Sequence, residues 1–242
     1  MNTPTPGESE DAQAFTPAAQ PLPYRPRGLT RAELKRKDVY AFLSPKLHRE
    51  VWLTGALSFA ASLQHEFDAE TTAYCERPRK LELQDGGVEA AFWTRRRTGE
   101  ECLWLLIPTS ESEPAAGGKR RYRREDQALD AAKRAHLHLR FMFETELISA
   151  GTSLGVWFGL LPFVQIAHVL DNYAAIEARV REHFRFLKAS TFAQVEAALQ
   201  DFNSHDVRSA VCRAIHEGWL RINSTHPLHV HTAVERGRLY GD

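Results

Sequence analysis

Apolar residues recur along this chain with two different periods, and the change between them predicts a mixed α/β protein. Between residues 43 and 67 large apolar side chains recur at helical spacing: Trp52, Ala56, Phe59, Leu63 and Phe67. Ser44 can cap the start of a helix, and Pro45 suits its first turn because the ring fixes a helical φ. This stretch is therefore predicted to be one helix with a buried face.

Short apolar runs separated by turn residues follow this predicted helix. Residues 79–108 read RKLELQDGGVEAAFWTRRRTGEECLWLLIP, with Asp-Gly-Gly and Thr-Gly as turn signals. Such turns are typical of tight antiparallel hairpins. Residues 102–107 are apolar at every position, as expected for a strand that is covered on both faces. This strand is predicted to be the centre of the sheet.

The following segment interrupts the pattern before it resumes. Residues 109–126 are of low complexity (TSESEPAAGGKRRYRRED) and are predicted to form a flexible loop. A helix over residues 126–140 and a short strand over residues 140–147 come next. Helix, antiparallel strands, central strand, helix and strand is the element order of restriction-endonuclease-like folds, although many α/β domains share it.

The sequence predicts a disordered N-terminal segment followed by two domains. Residues 1–35 are rich in Pro, Ala, Ser and acidic residues and lack an apolar period. We expect this segment to be disordered, because it cannot bury enough surface to offset its ordering entropy. Residues 36–150 are predicted to form a first α/β (α+β) domain, and residues 151–242 a second, helical domain.

One apolar run, residues 148–170, is long enough to cross a membrane. It carries Thr152, Gln165 and His168, has Pro162 in its middle and lacks a flank rich in Lys or Arg. These features favour two buried elements over one membrane span. No membrane partner is expected.

Charge and cysteine usage change this picture little. The chain has 31 Lys and Arg against 31 Asp and Glu, so no overall positive field indicates nucleic acid. Its three cysteines are widely separated and form no Cys-x-x-Cys pair, and no signal peptide is recognisable. A reducing, cytoplasmic location is the expectation.

Two clusters of basic residues and one helix pair are candidate nucleic-acid contacts. TRRR (94–97) lies at a predicted hairpin, and KRRYRR (119–124) lies in the predicted loop, with a tyrosine placed for base stacking. Residues 191–199 and 205–216 form a predicted helix pair, followed by Gly218 and two short strands, which is a winged-helix outline. Winged helices also dock proteins. The candidate DNA-binding residues are Arg95, Arg96, Arg97, Lys119, Arg120, Arg121, Arg123, Arg124, Arg208 and Arg213.

A histidine cluster near the end of the chain is the other candidate for chemistry. HPLHVH places His226, His229 and His231 close together, and two imidazoles on one strand can share a metal. No further ligand lies nearby in the sequence, which favours a solvated turn. Gly-rich phosphate loops, Gly-x-Ser-x-Gly elbows and His-Glu-x-x-His motifs are absent from the sequence.

The run LSFAASLQHEFDAETTAYCERPRKLEL resembles the N-terminal catalytic domain of TnsA, the endonuclease subunit of heteromeric transposases. The residues that carry this resemblance are Phe67, Asp68, Glu70, Tyr74, Arg77 and Pro78. Residues 139–148 are similar to the strand-to-helix step after the family's core, and the tail from residue 199 is similar to its C-terminal segment. The resemblance covers about residues 40–235.

The resemblance implies a nuclease whose catalytic residues have been lost. The family's chemistry needs a Glu on the helix, an Asp at the end of the second strand, and an acidic or amide residue plus a Lys on the central strand. The carboxylates hold Mg²⁺ at the scissile phosphate, and the Lys stabilises the developing charge. The matching positions here are Ser58, Ala91 and either Leu106 with Pro108 or Pro108 with Ser110. None supplies a carboxylate or a Lys. We therefore expect no phosphodiester cleavage and no cofactor.

Two other functions remain open at this point. Glu50, Glu89 and Glu111 lie close in sequence to the lost positions, and if they converge they would make an active, Mg²⁺-dependent endonuclease that cuts transposon 5′ ends. A free-standing winged-helix DNA-binding regulator is the third function. The resemblance favours an inactive, structural subunit of a transposition complex, with DNA, a transposase subunit and an AAA-type ATPase regulator as partners.

Overall fold

A computed structural model of the chain describes residues 22–241, so the predicted disorder of residues 1–21 lies outside the described residues. The helices are α1 (Arg31–Arg36), α2 (Ala56–Phe67), α3 (Glu125–Arg134), α4 (Glu144–Ser149), α5 (Gly151–Ala167), α6 (Tyr173–Phe186), α7 (Phe192–Ala198) and α8 (Ser204–Glu217). The strands are β1 (Val39–Ser44), β2 (Arg49–Thr54), β3 (Thr71–Glu76), β4 (Lys80–Leu83), β5 (Gly86–Glu89), β6 (Phe92–Arg96), β7 (Glu101–Ile107), β8 (Ser112–Pro114), β9 (Arg120–Tyr122), β10 (Leu139–Phe143), β11 (Ala189–Thr191), β12 (Leu220–Ile222) and β13 (Ala233–Arg236).

A four-stranded mixed sheet in the order β10-β7-β6-β3 forms the centre of the first half of the chain. Strand β6 is antiparallel to β3 and to β7, whereas β10 is parallel to β7. The prediction that residues 102–107 form the central strand is confirmed. Leu103 and Leu105 pack in a cluster with Ala128 of α3, while Leu106 packs on the other face in the cluster that contains Leu63 of α2.

The prediction of a single helix over residues 43–67 is wrong. Strands β1 and β2 form an antiparallel hairpin there, and only α2 is helical. Val51 and Leu53 are buried while Glu50 and Trp52 are exposed, which is the two-residue period of a strand. The Ser44 hydroxyl accepts a hydrogen bond from the Leu47 N–H and so closes a turn instead of capping a helix.

The predicted hairpins between residues 79 and 108 are confirmed, with one difference in pairing. Strands β4 and β5 form a separate two-stranded sheet around the Asp-Gly-Gly turn, while β6 and β7 pair within the main sheet. Ala90 and Ala91 connect the two sheets, and the Ala91 N–H donates to the Trp104 carbonyl at 2.8 Å.

Residues 109–126 differ from the predicted loop. Strands β8 and β9 pair as a short hairpin, in which Ser112 lies opposite Tyr122. The Tyr122 side chain is only 1% exposed, because it packs in the cluster with Leu105 and Ile107. A buried ring is not available for base stacking.

The second half of the chain is predominantly helical, as predicted. Its last part runs α6, β11, α7, α8, β12 and β13, with the three strands paired in the order β11-β13-β12. One hydrophobic cluster includes both Phe42 and Leu63 of the first half and Val211 and Trp219 of the second. The two halves therefore share a core.

Most of the run of residues 148–170 is the single helix α5, which continues through Pro162 and exposes Phe158 and Ile166, so the prediction of two buried elements is wrong. Among residues 22–241, no helix is long and apolar enough to cross a membrane. Helix α1 begins inside the segment 1–35, so the prediction of disorder is wrong for residues 31–35. Thr30 caps this helix by accepting from the Glu33 N–H, and Tyr24 packs edge-on to Trp93 at 6.0 Å.

Candidate functional site

The positions that resemble lost nuclease ligands lie in α2 and around strand β7. Ser58 lies in the first turn of α2, and Ala91 and Leu106 pack against the hydrophobic cluster on the α2 side of the sheet. Pro108 directly follows β7, and Ser110 lies beyond the strand in a 3-10 turn, Thr109–Glu111. Because Leu106 shares its face with Ala91, the register that uses Leu106 and Pro108 fits the structure better than the one that uses Pro108 and Ser110.

The three alternative carboxylates do not come together. Glu50 is on the exposed face of β2, where it accepts from Trp52 Nε1 at 3.1 Å, so its predicted place on a helix with Ser58 is wrong. Glu89 is in the separate β4–β5 hairpin and forms ion pairs with Arg27 and Arg77 at 2.6 and 3.2 Å. Exposed Glu111 ends the 3-10 turn. Within residues 22–241, no group of three or more His, Cys, Asp or Glu could hold a metal ion.

The basic residues of the 119–124 cluster lie on the β8–β9 hairpin, and most are already engaged. Arg120 donates to the Ser112 hydroxyl, Arg121 forms an ion pair with Asp126 at 2.6 Å, and Arg124 forms one with Asp85 at 2.9 Å. Lys119 and Arg123 are exposed and form no ion pair with any other described residue. The hairpin thus has less available positive charge than its sequence suggests.

The side chains of the three arginines of the β6–β7 hairpin, Arg95, Arg96 and Arg97, point to different surroundings. Arg95 pairs with Glu101 at 3.0 Å and lies over the Trp93 ring. Arg96 and Arg97 point to two neighbouring clefts, and neither forms an ion pair within residues 22–241. Arg97 is held by a hydrogen bond from its Nε to the Ala69 carbonyl at 3.0 Å.

Arg97 lines a cleft of about 280 Å³ between the two halves of the chain, which we call the basic cleft. The β1–β2 turn and the start of β3 form one wall, and the ends of α5 and α8 form the other. Its ionisable residues are Lys46, His48, Arg97, His168, Arg213, His216 and Glu217. Three cations and three imidazoles therefore face one carboxylate. Such a surface suits a phosphate group.

Lys46 lies in the β1–β2 turn and reaches the end of α2. Its Nζ donates to the carbonyls of His65 and Asp68 at 2.7 and 2.8 Å, where a cation stabilises the helix dipole. Burial lowers the pKa of Lys46 to about 8, although the charge of Glu66 opposes this change. An ammonium group has three donors, so one remains for a ligand.

Arg213 and the histidines form the wall contributed by the second half of the chain. Arg213 pairs with Glu217 at 2.7 Å, and its guanidinium lies over the Tyr173 ring at 4.1 Å, which fixes its orientation. His168 packs edge-on against His48 with ring centroids 5.4 Å apart. Burial, followed by the charge of Arg213, lowers the pKa of His168 to about 4, so this imidazole is neutral near pH 7.

A buried carboxylate lies beneath the basic cleft and joins the two halves. Glu66 of α2 accepts from the Ser44 hydroxyl at 2.6 Å, the Tyr74 hydroxyl at 2.7 Å, the Lys46 N–H at 2.9 Å and His216 Nε2 at 2.8 Å. Burial alone raises the pKa of Glu66, but hydrogen bonding to His216 and the charges of His216 and Lys46 outweigh it and lower the pKa to about 2. The carboxylate is therefore ionised near neutral pH.

The other arginine on α8 lies outside the basic cleft. Arg208 pairs with Glu196 of α7 at 2.7 Å and lies over the Phe163 ring. Most of α8 is buried, from Val207 through His216, because it packs on α2, α5, α6, α7 and β12. This environment leaves no long face of the helix open to a DNA groove.

The histidine cluster at the end of the chain lies in an exposed turn. His229 and His231 have ring centroids 6.0 Å apart, and His229 Nδ1 accepts from the His231 N–H at 3.0 Å. The nitrogen that binds this N–H is not available to a metal. His226 is exposed in the same segment.

The sequence predicted two of the basic cleft's residues, Arg97 and Arg213, but assigned them to separate surfaces. Lys46, His48 and Glu66 were missed, because nothing in the sequence relates the β1–β2 turn to the end of α8, which lies far along the chain. In comparisons with known proteins, no protein-family model matched the chain, and no curated protein matched it.

Proposed function

We propose that the chain is a TnsA-like subunit of a DNA transposition complex that binds DNA without cutting it. Two of its expected partners, as the family resemblance implies, are a transposase subunit and an AAA-type ATPase regulator. The observation that carries the DNA-binding part is the basic cleft, in which Lys46, Arg97 and Arg213 come together. Phosphate groups are the ligands that such a cationic surface prefers.

The arrangement of the first half supports the nuclease-like part of the proposal. Helix α2, strands β3, β6 and β7, helix α3 and strand β10 follow the element order of restriction-endonuclease-like cores, on a mixed sheet in which only β10 is parallel to β7. Likeness of architecture is an analogy and not proof of function. By the family resemblance, Ser58, Ala91 and Leu106 match the positions at which such a core carries metal ligands.

The second half of the chain favours docking to a protein partner over recognition of a DNA sequence. Its order of helix, strand, two helices and two strands has a winged-helix outline, but the packing of α8 against α5 covers the helix that would enter a major groove. Winged-helix modules also bind proteins. Exposed apolar residues lie on the β1–β2 hairpin and on and after α5, and they favour a protein partner over a free-standing regulator. They are Leu43, Trp52, Phe158, Ile166 and Val169.

A nicking assay tests the proposal that the chain does not cut DNA. Purified protein incubated with supercoiled plasmid and either Mg²⁺ or Mn²⁺ is expected to leave the plasmid uncut, because no carboxylate stands at Ser58, Ala91 or Leu106 to position a metal. The control is Glu89→Gln, which removes one of the alternative carboxylates. Metal-dependent nicking that disappears in Glu89→Gln, or in Glu50→Gln, would contradict the proposal.

A further inference from the structure

A second cleft lies next to the basic cleft. It has a volume of about 250 Å³ and lies between the C-terminal half of α2 and the sheet. We call it the tryptophan cleft and define it by Gln64, His65, Thr94, Arg96, Trp104 and Arg140. Thr71 lines both clefts, so they are neighbours.

Some of the polar groups of the tryptophan cleft are paired with one another and form fixed walls. Trp104 Nε1 donates to the Thr94 hydroxyl at 2.9 Å, which holds the indole in one orientation. Arg140 pairs with Glu100 at 2.8 Å and lies over the Trp104 ring at 5.7 Å. His65 lies 5.4 Å from the same ring. The cleft therefore has rigid aromatic surface.

Three other polar side chains of this cleft have no partner among residues 22–241. Arg96 forms no ion pair, and the Gln64 amide forms no hydrogen bond. His65 is only 5% exposed, and its Nε2 is buried without a hydrogen-bond partner. A buried polar atom without a partner costs about 1–3 kcal/mol, so an unpaired imidazole next to a cleft favours a ligand that satisfies it.

The protonation state of His65 limits the kind of ligand that the tryptophan cleft can bind. Burial lowers the pKa of His65 to about 3, so the ring is neutral and acts as a hydrogen-bonding group and not as a cation. Arg96 is the one cation of this cleft without an ion pair among the described residues, since Arg140 pairs with Glu100. The Asp68 carboxylate also lines the cleft and accepts from the Thr71 hydroxyl at 2.8 Å. A ligand with one anionic group and a planar, hydrogen-bonding body matches this set of groups.

The volume of the tryptophan cleft excludes large ligands. Pockets for drug-sized molecules span about 300–1,000 Å³, so a cleft of about 250 Å³ accepts only a small group. A single nucleobase is planar, offers hydrogen-bond donors and acceptors at its edge, and stacks on aromatic rings with about 1–3 kcal/mol per base. Its phosphate carries the anionic charge.

We infer that the tryptophan cleft holds one unpaired nucleotide of the bound DNA, with its base against Trp104 and its phosphate on Arg96. The inference rests on the proposed DNA-binding function and extends it. Arg96 and Arg97 are consecutive and point to adjoining clefts, so a strand held by a phosphate in the basic cleft can continue past Thr71 into the tryptophan cleft. Gln64 and His65 then contact the base edge.

Isothermal titration calorimetry of the full chain with the four deoxynucleoside 5′-monophosphates tests this inference. At least one nucleotide is expected to bind tenfold or more tightly than its nucleoside and than inorganic phosphate, because only the nucleotide uses both the aromatic wall and Arg96. Arg96→Ser should weaken nucleotide binding fivefold or more and leave nucleoside binding unchanged. Gln64→Ala should weaken both.

Arg179→Ser is the control, because it removes an exposed arginine of α6 that lines neither cleft. It should leave mononucleotide binding unchanged. Inorganic phosphate that binds as tightly as every nucleotide, or nucleotide binding that neither Arg96→Ser nor Gln64→Ala changes, would overturn the inference. If the protein binds duplex DNA but no mononucleotide, the inferred nucleotide site is refuted and the proposed function stands. If it binds a mononucleotide but no duplex DNA, the proposed function is refuted and the nucleotide site is supported.

Discussion

Glu66 has no exposed surface and accepts hydrogen bonds from parts of the chain that are far apart in sequence. Ser44 and Lys46 belong to the β1–β2 hairpin, Tyr74 to β3, and His216 to α8. A buried carboxylate is stable only when such partners compensate for its lost hydration. The same residue therefore supports the wall of the basic cleft and joins the two halves of the chain.

Glu66→Gln should lower the free energy of unfolding by about 2–4 kcal/mol at pH 7, because it leaves buried partners of a carboxylate incompletely paired. The pKa of Glu66 is about 2 in the folded chain against 4.5 ordinarily, so the carboxylate stabilises the fold fully above about pH 4.5. This stabilisation is lost as the pH falls from 4.5 toward 2.

Urea denaturation between pH 7 and pH 3 measures this effect. The difference in unfolding free energy between the wild type and Glu66→Gln is expected to shrink as the pH falls below 4.5. Glu70→Gln is the control, since the Glu70 carboxylate forms no hydrogen bond or ion pair with the described residues, and it should change stability little. A difference that stays constant down to pH 3 would show that the Glu66 pKa is not lowered.

Lys46 makes the basic cleft sensitive to alkaline pH. Its pKa is about 8, because burial disfavours the ammonium form, so the cleft loses a positive charge as the pH rises through 8. The affinity for a DNA duplex, measured by fluorescence anisotropy, should therefore fall between pH 7 and 9. Lys46→Arg keeps its charge throughout this range and should abolish the decrease. An equal decrease in both proteins would exclude Lys46 as its cause.

At the level of elements, the sequence predicted the central sheet well and the β1–β2 hairpin badly. The turn residues around Asp85 and Gly99 identified the hairpins, and the continuous apolar run identified β7 as the inner strand. The stretch from Trp52 to Phe67 matched a helical period only because apolar residues of a strand and of a helix happened to continue the same spacing. Gly55, with φ of 80°, separates the two elements, and the pattern gave no sign of it.

Tertiary packing also decided which basic residues are available, and this could not be read from the sequence. Arg208 was predicted to face DNA because it lies on the second helix of a winged-helix outline. In the structure α5 covers that helix, and Arg208 pairs with Glu196. Arg97 and Arg213 face one cleft, although 116 positions separate them, because the two halves of the chain share a core.

Arg208→Ser should therefore affect stability and not DNA recognition. Loss of its ion pair and of its contact with Phe163 is expected to lower the unfolding free energy by about 1 kcal/mol. Preference among DNA sequences, measured by selection from a random duplex library, should remain as in the wild type. Arg181→Ser, which breaks a comparable pair on α6, is the control. Altered preference in Arg208→Ser alone would mean that α8 does reach DNA.

For the whole molecule, the net charge is zero, but the basic cleft has a local excess of positive charge. The 31 basic and 31 acidic residues cancel overall, and 12 of the 24 arginines form ion pairs with carboxylates. The basic cleft is different, because its three cations face a single carboxylate between two halves of the chain. Electrostatic binding to phosphates at such a site is sequence-independent and depends steeply on salt.

The salt dependence of duplex binding tests the central claim most directly. Plots of log affinity against log salt concentration are expected to lose about one unit of slope in Arg97→Ser and about two in Arg97→Ser/Arg213→Ser, since each lost phosphate contact removes about one unit. The control is Arg179→Ser, which removes an exposed arginine of α6 that does not line the basic cleft, and it should keep the wild-type slope. Wild-type affinity and slope in the double variant, with its fold intact by circular dichroism, would show that the basic cleft does not bind DNA.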